Sequence, residues 1–355
     1  NKAADELKRR LYELPGGGGV WAGTFHGFGS FLLRRHGDDV GIDPRFTILD
    51  RDDQLSILKA IYKDLDVEKG ILRPVDALAM ISHRKNGGGG RPPLDLTMPG
   101  VAFLFDQLYD AYIERLRGAD LLDFDDLLLD SVRLLQESED VVALYRQRFA
   151  HVLVDEYQDT NLVQRDLLRH LVGPDQRITV VGDPDQSIYR WRGAVVRNIL
   201  DFGEDFEGAE QVLLERNYRS TGHILGAAEA VIERNRERHA KRLFTEREDG
   251  RPVLVTRCRD SENEGRSVAA QIESWVGEGR RHDEMAVFYR VKALSRGIEL
   301  ALNDKSIQYV VVAGTEFFQR REVKDVHSYA RLIANTRDEA AFTRIVNVPR
   351  RGVGA

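Results

Sequence analysis

The sequence has few of the features that define secreted or membrane proteins. Its 355 residues include a single cysteine, Cys258, which excludes an internal disulfide framework and a cysteine-based metal site. No apolar run approaches the length of a membrane span, and the charged opening, residues 1–11, does not resemble a signal peptide. These absences predict a protein of a reducing cytoplasm.

An excess of positive charge is also absent. The chain has 52 Lys and Arg against 58 Asp and Glu, a formal net charge of −6. This balance argues weakly against nucleic acid as a partner, although a nucleic-acid-binding protein can keep its basic groups local and bind bases by stacking. The sequence also contains no G-x-x-x-x-G-K-[ST] run, the signature of a phosphate-binding P-loop.

Two strand-to-helix junctions organise the sequence. Residues 151–154 (HVLV) predict a parallel strand buried on both faces, followed by Asp155, Glu156 and a helical pattern. Residues 178–181 predict the next strand. Ligands collect at the carboxyl ends of such strands, and paired carboxylates there suit a magnesium nucleotide. The alternative is that the acids belong to the first turn of a helix and complement its dipole.

Three segments carry a resemblance to a known family. They are VDEYQDTN (154–161), VVGDPDQSIYRWRGA (180–194) and LERNYRS (214–220), and VWAGTFHGFGS (20–30) adds a fourth. Together they resemble successive motifs of the UvrD/PcrA/Rep family of superfamily 1 DNA helicases, and the resemblance extends over nearly the whole chain.

The resemblance implies an α/β fold: a RecA-like parallel-sheet motor domain with an all-helical insertion, plus part of a second RecA-like domain. The first motor domain would comprise residues 1–45 and 122–222, without its P-loop part, and the insertion residues 46–121. The second would begin with residues 223–345, and 346–355 would start a further insertion that is missing.

The segments around the motifs support this division. Between residues 46 and 121 the pattern predicts amphipathic helices, the first capped by Asp50, with no strand signal. Beyond the motifs, predicted strands at 253–256, 284–289 and 308–312 alternate with helices, which indicates a second parallel sheet.

Two runs of four glycines interrupt the chain at residues 16–19 and 87–90. They are either natural flexible loops or replacements for other loop segments. Arg84, Lys85 and Arg91 lie beside the second run, where they either contact duplex DNA or are solvated surface charges.

On the nucleotide side, the resemblance implies ATP and Mg²⁺ as cofactors. Asp155 would hold the magnesium ion through its water shell, and Glu156 would position the hydrolytic water. Gln186 would sense the γ-phosphate and report its loss to the DNA side. Arg219 would contact the γ-phosphate, and Tyr218 would stack on the adenine.

On the DNA side, the resemblance implies contacts with single-stranded DNA from Thr24, His26, Phe124, Tyr189, Trp191 and Arg192. Four of these residues, His26, Phe124, Tyr189 and Trp191, have an ordinary alternative. A lone histidine often caps a helix or lies in the core, and the aspartates flanking Phe124 repel phosphates and suit a helix N-terminus. Tyr189 and Trp191 could be hydrophobic anchors, but the arginines on either side of Trp191 favour exposure.

The function implied is that of an ATP-dependent helicase or translocase on single-stranded DNA, moving 3′ to 5′ in repair, replication or recombination. Its partners would be single-stranded DNA, single-strand/duplex junctions and repair proteins, near the nucleoid and without a membrane. Without a P-loop and the later motifs, the chain alone is expected to be inactive. The alternatives are the helicase portion of a RecB- or AddA-type recombination nuclease and a non-enzymatic DNA-binding module.

Overall fold

The computed structural model describes residues 2–68, 70–88, 92, 94, 99–173, 177–235, 241–312 and 320–353. Its strands are β1 (Thr47–Ile48), β2 (Leu121–Leu122), β3 (His151–Val154) and β4 (Arg177–Val180). Its α-helices are α1 (Lys2–Tyr12), α2 (Phe25–His36), α3 (Arg51–Asp64), α4 (Pro74–Lys85), α5 (Pro99–Gly118), α6 (Phe124–Glu137), α7 (Glu139–Arg148), α8 (Leu162–Leu171), α9 (Arg197–Leu200), α10 (Phe202–Asp205), α11 (Gly222–Ile232), α12 (Ser261–Gly277), α13 (Ser295–Asp304), α14 (Arg321–Ala334) and α15 (Glu339–Ile345). None of these helices is both long and apolar enough to cross a bilayer.

The chain divides into two compact units. The first unit contains Asn1–Glu215, Ile232–Arg242 and Arg321–Ala355, and the second contains Arg216–Val231 and Leu243–Arg320. The finer domain boundaries expected from the sequence, including the insertion at 46–121, remain a prediction.

Strands β3 and β4 form the parallel pair expected from the sequence, with His151 opposite Arg177 and Val154 opposite Val180. Val152 and Val154 pack against α8, because alternate side chains of a strand share a face. The prediction that β3 is buried on both faces is wrong: Leu153, on the other face, is 71% exposed. Within the described residues, helices cover only one face of this two-stranded sheet.

The main core of the first unit lies among helices α2, α6, α7 and α8. Helices α2 and α6 approach closely at Gly29, where an added Cβ would lie 2.4 Å from the Leu127 carbonyl oxygen. The buried side chains at this core include Leu32, Leu33, Leu128, Leu134, Tyr145 and Leu167.

The region between β1 and β2 is helical, as predicted. Asp50 caps α3 by accepting hydrogen bonds from the Asp52 and Asp53 amides, both at 2.9 Å. The expectation of no strand in 46–121 needs one correction, because β1 pairs in parallel with β2 at the two borders of the region. Helices α3, α4 and α5 surround a second core that includes Leu58, Ile81, Leu108 and Tyr112.

The second unit contains the predicted helices α12 and α13 but none of the three predicted strands, and the helix predicted at 323–333 forms as α14 in the first unit. Residues 253–256, 284–289 and 308–312 have no strand pairing, although all of them are described. Their apolar side chains are exposed, as in Val255 at 96% and Phe288 at 93%. A strand needs a neighbour to satisfy its backbone groups, and none is aligned with these segments in the described part of the unit. The small core here lies between α12 and α13, at Ala269, Ile272, Ala301 and Leu302.

Candidate functional site

Asp155 and Glu156 form an exposed turn directly after β3. Glu156 has φ 54° and ψ 42°, the left-handed conformation that side chains other than glycine seldom adopt outside strained or functional positions. Its N–H donates to Asp155 Oδ1 at 3.0 Å. The helix-dipole alternative does not fit this geometry. Helix α8 starts later, with Asn161 as its N-cap, and has no acid in its first turn.

Gln158 connects the carboxylate turn to the end of the neighbouring strand. Its side chain is buried, with Nε2 donating to Glu156 Oε2 at 2.6 Å and Oε1 accepting from the Asp183 N–H at 3.0 Å. A side chain at Gly182 would displace Gln158, because a Cβ there would lie 2.4 Å from Gln158 Oε1. The sequence offered no reason to assign a role to Gln158. The only hint was that an amide side chain occurs there among acidic ones.

Gln186 ends the 3₁₀ turn Pro184–Gln186 and donates from Nε2 to Asp183 Oδ2 at 2.8 Å. The ammonium group of Lys241 pairs with Asp183 and lies 3.3 Å from Asp185 Oδ2. Burial acts to raise the pKa of Asp183, but hydrogen bonds from Lys241 and Gln186 lower it, which favours the carboxylate form. Lys241 is 58 residues from Asp183 and was not anticipated from the sequence.

The donor set suits a magnesium ion that arrives with a nucleotide. In the part of the chain that the structure describes, no group of three His, Cys, Asp or Glu side chains could hold a metal by itself. Asp155 offers an exposed carboxylate at a strand end. Mg²⁺ typically keeps several waters and is bound by one or two carboxylates together with substrate phosphates. This site therefore fits that mode better than a cage built of protein ligands.

An exposed aromatic turn follows Gln186. Tyr189 is 37% exposed and Trp191 is 69% exposed, which agrees with the predicted exposure of both rings. The Arg192 guanidinium lies 5.1 Å from the Tyr189 ring centroid and 4.6 Å from that of Trp191. Gly193, at φ 88°, ends the turn in the left-handed conformation that glycine adopts without strain. This turn, residues 189–193, is called the aromatic turn below.

The other predicted DNA residues lie at the starts of α2 and α6. Thr24 is the N-cap of α2, and its Oγ1 accepts from the Gly27 N–H at 3.1 Å. His26 lies edge-on to Phe124, with ring centroids 6.0 Å apart, and Phe124 is 50% exposed. Burial lowers the pKa of His26, while the Asp125 carboxylate opposes the shift, so the neutral ring is favoured at neutral pH.

The acids around Phe124 have a structural role. Asp123 and Asp126 form a capping box at the start of α6, so the helix-terminus alternative is correct for them. Lys85 Nζ lies 2.7 Å from Asp123 Oδ2 and 2.8 Å from Asp126 Oδ1, with a fully buried side chain. Lys85 is therefore neither a solvated charge nor a DNA contact, and both expectations were wrong for it. Arg84 pairs with Asp106 on the surface.

Arg91 lies outside the described residues, as do Gly89 and Gly90 of the second glycine run. In the second unit, Tyr218 is 73% exposed, and the Arg216 guanidinium lies 4.7 Å from its ring centroid. The Asn217 side chain accepts from the Arg219 N–H at 3.0 Å and so orients that backbone. The structure thus joins Asp155, Glu156 and Gln186 through shared hydrogen bonds, and it describes Tyr218 and Arg219 within their own unit.

Comparison with known families places these segments in one class. The UvrD/REP helicase N-terminal domain matches residues 1–207, and the UvrD-like helicase C-terminal domain matches residues 212–355. The first match alone covers more than half of the chain. The chain belongs to the UvrD/REP helicase family, and its α/β fold is of the RecA-like class.

Individual relatives align along the whole chain. It is 42% identical to DNA helicase II of Escherichia coli (strain K12) over 356 residues. It is 41% identical to ATP-dependent DNA helicase PcrA of Bacillus subtilis (strain 168) over 367 residues. Each alignment covers 100% of this chain and 49% of the relative, so the chain spans about half the length of these proteins.

Proposed function

We propose that the protein expressed from its complete coding sequence is an ATP-dependent helicase or translocase acting on single-stranded DNA, in repair or replication. One observation carries the proposal. Side-chain hydrogen bonds join Glu156, at the end of β3, through Gln158 and Asp183 to Gln186. The chain then continues from Gln186 directly into the exposed aromatic turn. A carboxylate turn suited to a nucleotide is thus linked to a surface suited to bases.

On the nucleotide side, Asp155 would hold Mg²⁺, which supplies charge neutralisation at the phosphates. Glu156 would orient and deprotonate the attacking water, and Gln158 fixes its carboxylate. Arg219 would stabilise charge on the γ-phosphate and Tyr218 would stack on the adenine. Residues 1–355 contain no G-x-x-x-x-G-K-[ST] run, so ATP hydrolysis is proposed for the complete protein and not for this chain alone.

On the DNA side, Trp191 and Tyr189 would stack on bases, each worth about 1–3 kcal/mol and independent of sequence. This tolerance suits a protein that must move along any strand. Arg192 would pair with a phosphate, whereas His26, favoured in its neutral form, would contact a base or sugar beside Phe124. Thr24 would add a hydroxyl contact. Single-strand/duplex junctions are the proposed substrate, with 3′ to 5′ movement.

The first test is Glu156→Gln. The glutamine oxygen can still accept from Gln158, but it cannot take a proton from water. We expect ATP turnover to fall by about 10²–10⁴-fold, the usual contribution of a general base, with nucleotide binding largely retained. Phosphate release and fluorescent-nucleotide binding would measure the two effects. Glu204→Gln, on the exposed surface of α10, is the control. Turnover within about tenfold of wild type would remove Glu156 from this role.

The second test is Trp191→Ala. We expect the affinity for an unstructured oligonucleotide to fall by about 1–3 kcal/mol, together with DNA-stimulated ATPase, because one stacking platform is lost. Trp275→Ala is a matched control, since Trp275 also lies beside an arginine, Arg280, at 5.9 Å. Fluorescence anisotropy at several salt concentrations would measure binding. Equal affinity in the wild type and Trp191→Ala would show that the ring does not contact DNA.

The alternative functions are not favoured. DNA helicase II of Escherichia coli and PcrA of Bacillus subtilis both align over the whole chain, and neither is named as a recombination nuclease. The carboxylate turn is a candidate nucleotide site, which the chain has in addition to its candidate DNA-binding surface. This argues against a module that only binds DNA.

A further inference from the structure

A group of buried neutral side chains lies between the two surfaces of the proposed site, and the mechanism above does not use it. Its members are Asn86, Asn161, Thr160 and Asn198, which are 8%, 7%, 3% and 2% exposed. Buried polar groups are nearly always hydrogen-bonded, so each side chain constrains its neighbours. We call these four residues the amide junction.

Asn86 joins three elements with one amide. It is the C-cap residue of α4, and its Nδ2 donates to the Ser82 carbonyl oxygen and to Asp125 Oδ1, both at 2.8 Å. Its Oδ1 accepts from Asn161 Nδ2 at 2.5 Å. An amide can donate and accept at once without carrying charge. Asn86 therefore connects the start of α6, next to Phe124, with the start of α8.

Asn161 and Thr160 connect the same point to the nucleotide side. Asn161 caps α8 through its Oδ1, which accepts from the Gln164 N–H at 2.8 Å. Thr160 Oγ1 donates to the Tyr157 carbonyl oxygen at 2.7 Å, inside the turn that follows Glu156. The backbone at 160–161 is therefore held against the turn that carries the catalytic carboxylate.

The aromatic turn is held at the same place. The Val195 N–H, just beyond this turn, donates to the Thr160 carbonyl oxygen at 2.9 Å. Asn198 Nδ2 lies 3.1 Å from that oxygen and 3.1 Å from the Asn161 carbonyl oxygen. An added Cβ at Gly193 would lie 3.8 Å from Asn86 Cβ, so Asn86 also abuts the turn itself.

We infer that Asn86 is a positioning residue that couples DNA binding to ATP turnover. Resting on the proposed function, the inference is that bases held at Phe124 and the aromatic turn fix the amide junction. The Asn86–Asn161 hydrogen bond then fixes the turn that carries Glu156. Gln186 provides one connection between the two sides, and Asn86 provides a second one that starts from the other aromatic surface.

The test removes this hydrogen bond from either end. Asn86→Ala deletes the acceptor. Asn161→Ser deletes the donor and keeps a side-chain oxygen that serves equally well as an N-cap. Both variants, the double variant and the wild type would be compared in the complete protein. The readouts are basal ATPase, ATPase with saturating single-stranded oligonucleotide, and oligonucleotide affinity.

We expect the ratio of DNA-stimulated to basal turnover to fall by about threefold to thirtyfold in each single variant, the range seen for mutations within coupling networks. The double variant should be no worse than the more severely affected single variant, because the Asn86–Asn161 hydrogen bond is lost in both single variants. Oligonucleotide affinity should change much less than the ratio.

The control is Asn335→Ala. Asn335 is also 8% exposed, and its amide donates to the carbonyl oxygens of Ala119 and Asp120, away from the junction. If Asn335→Ala lowers the ratio equally, or if the Asn86 and Asn161 effects simply multiply, the coupling role is wrong. An unchanged ratio in Asn86→Ala would also overturn it. A wild-type protein without DNA-stimulated turnover would instead refute the proposed function itself.

Discussion

Two buried polar groups occupy neighbouring positions on the same two helices but use opposite chemistry. At the end of α4, Lys85 forms ion pairs with Asp123 and Asp126, whereas the Asn86 amide, which carries no charge, forms hydrogen bonds. At the start of α6, the partner of Asn86 is Asp125. Both groups connect the helical region 51–118 to the rest of the first unit.

The charged group is larger and more deeply buried. Tyr112 Oη donates to Asp123 Oδ2 at 3.1 Å, and Arg117 lies 2.7 Å from Asp130. Burial and the nearby Asp123 carboxylate raise the pKa of Asp126 to about 7. Burial acts against the charge of Lys85, but the carboxylates of Asp126 and Asp123 raise its pKa. Each of these charges depends on the others.

This difference indicates which group stabilises the fold and which group can couple the two parts of the candidate site. Breaking a buried ion pair from one side leaves an uncompensated charge, so such a group has one strongly preferred arrangement. A neutral amide costs less to disturb, and it can pass a small change in geometry from one hydrogen bond to the next. We therefore expect the charged group to determine stability and the amide junction to determine coupling.

The largest expected effect is that of Lys85→Met. Removing the only ammonium group beside Asp123 and Asp126 among the described residues should lower the free energy of unfolding by about 3–5 kcal/mol. The matched control is Arg84→Met, one residue earlier, which breaks an exposed pair worth about 0–1 kcal/mol. Urea denaturation would measure both. Equal losses of unfolding free energy in the two variants would show that the buried ion pairs of Lys85 stabilise the fold no more than the exposed pair of Arg84 does.

A smaller effect should appear in the pH dependence of stability. Because the folded state raises the pKa of Asp126 above its unfolded value, protonation of this group stabilises the fold. That contribution is complete below about pH 4 and is lost as the pH rises through about 7. The pKa of Asp123 is lowered by Lys85 despite burial, so Asp123 acts mainly below this window.

Asp126→Asn removes this titration, so the variant should lose less stability than the wild type between about pH 4 and 7. Thermal melts of both proteins across the window would show the difference directly. Parallel pH profiles for the wild type and Asp126→Asn would contradict the assignment of the proton to Asp126.

The smallest expected effect on stability belongs to the amide junction. Asn86→Ala should lower the free energy of unfolding by about 1–3 kcal/mol, because the hydrogen bonds of this amide are lost and their partners, including the Asp125 carboxyl group, stay buried. The same urea titration as for Lys85→Met would measure it. A loss as large as that of Lys85→Met would mean that the junction is a second anchor, and the comparison between the two groups would fail.

Much of the local structure could be predicted from the sequence. The positions of β3 and β4 along the chain, the helix α8 between them and the Asp50 cap all follow from short-range patterns. In the second unit the same kind of apolar pattern occurs at 253–256, 284–289 and 308–312, yet no strand forms. An extended apolar segment becomes a strand only when another segment pairs with it, and pairing is a long-range property.

The candidate site also combines features that the sequence predicts with features that depend on long-range contacts. The positions of Asp155, Glu156, Gln186 and Trp191 along the sequence were sufficient to predict a carboxylate turn and an exposed aromatic turn. They were not sufficient to identify Gln158, whose partners Glu156 and Asp183 lie on two strand ends. Lys241 was missed for the same reason, since its acidic partners are distant in the chain.

The sequence by itself determined where helices begin, where the motifs lie and which family they resemble, because periodicity, capping and motif spacing are properties of neighbouring residues. Only the tertiary structure decided that Lys85 is a buried anchor and not a surface charge. It also decided that Asn86 bonds to Asn161, 75 residues away. The physical reason is that burial and hydrogen-bond partners depend on what the fold brings together, and Lys and Asn look like surface residues until their partners are known.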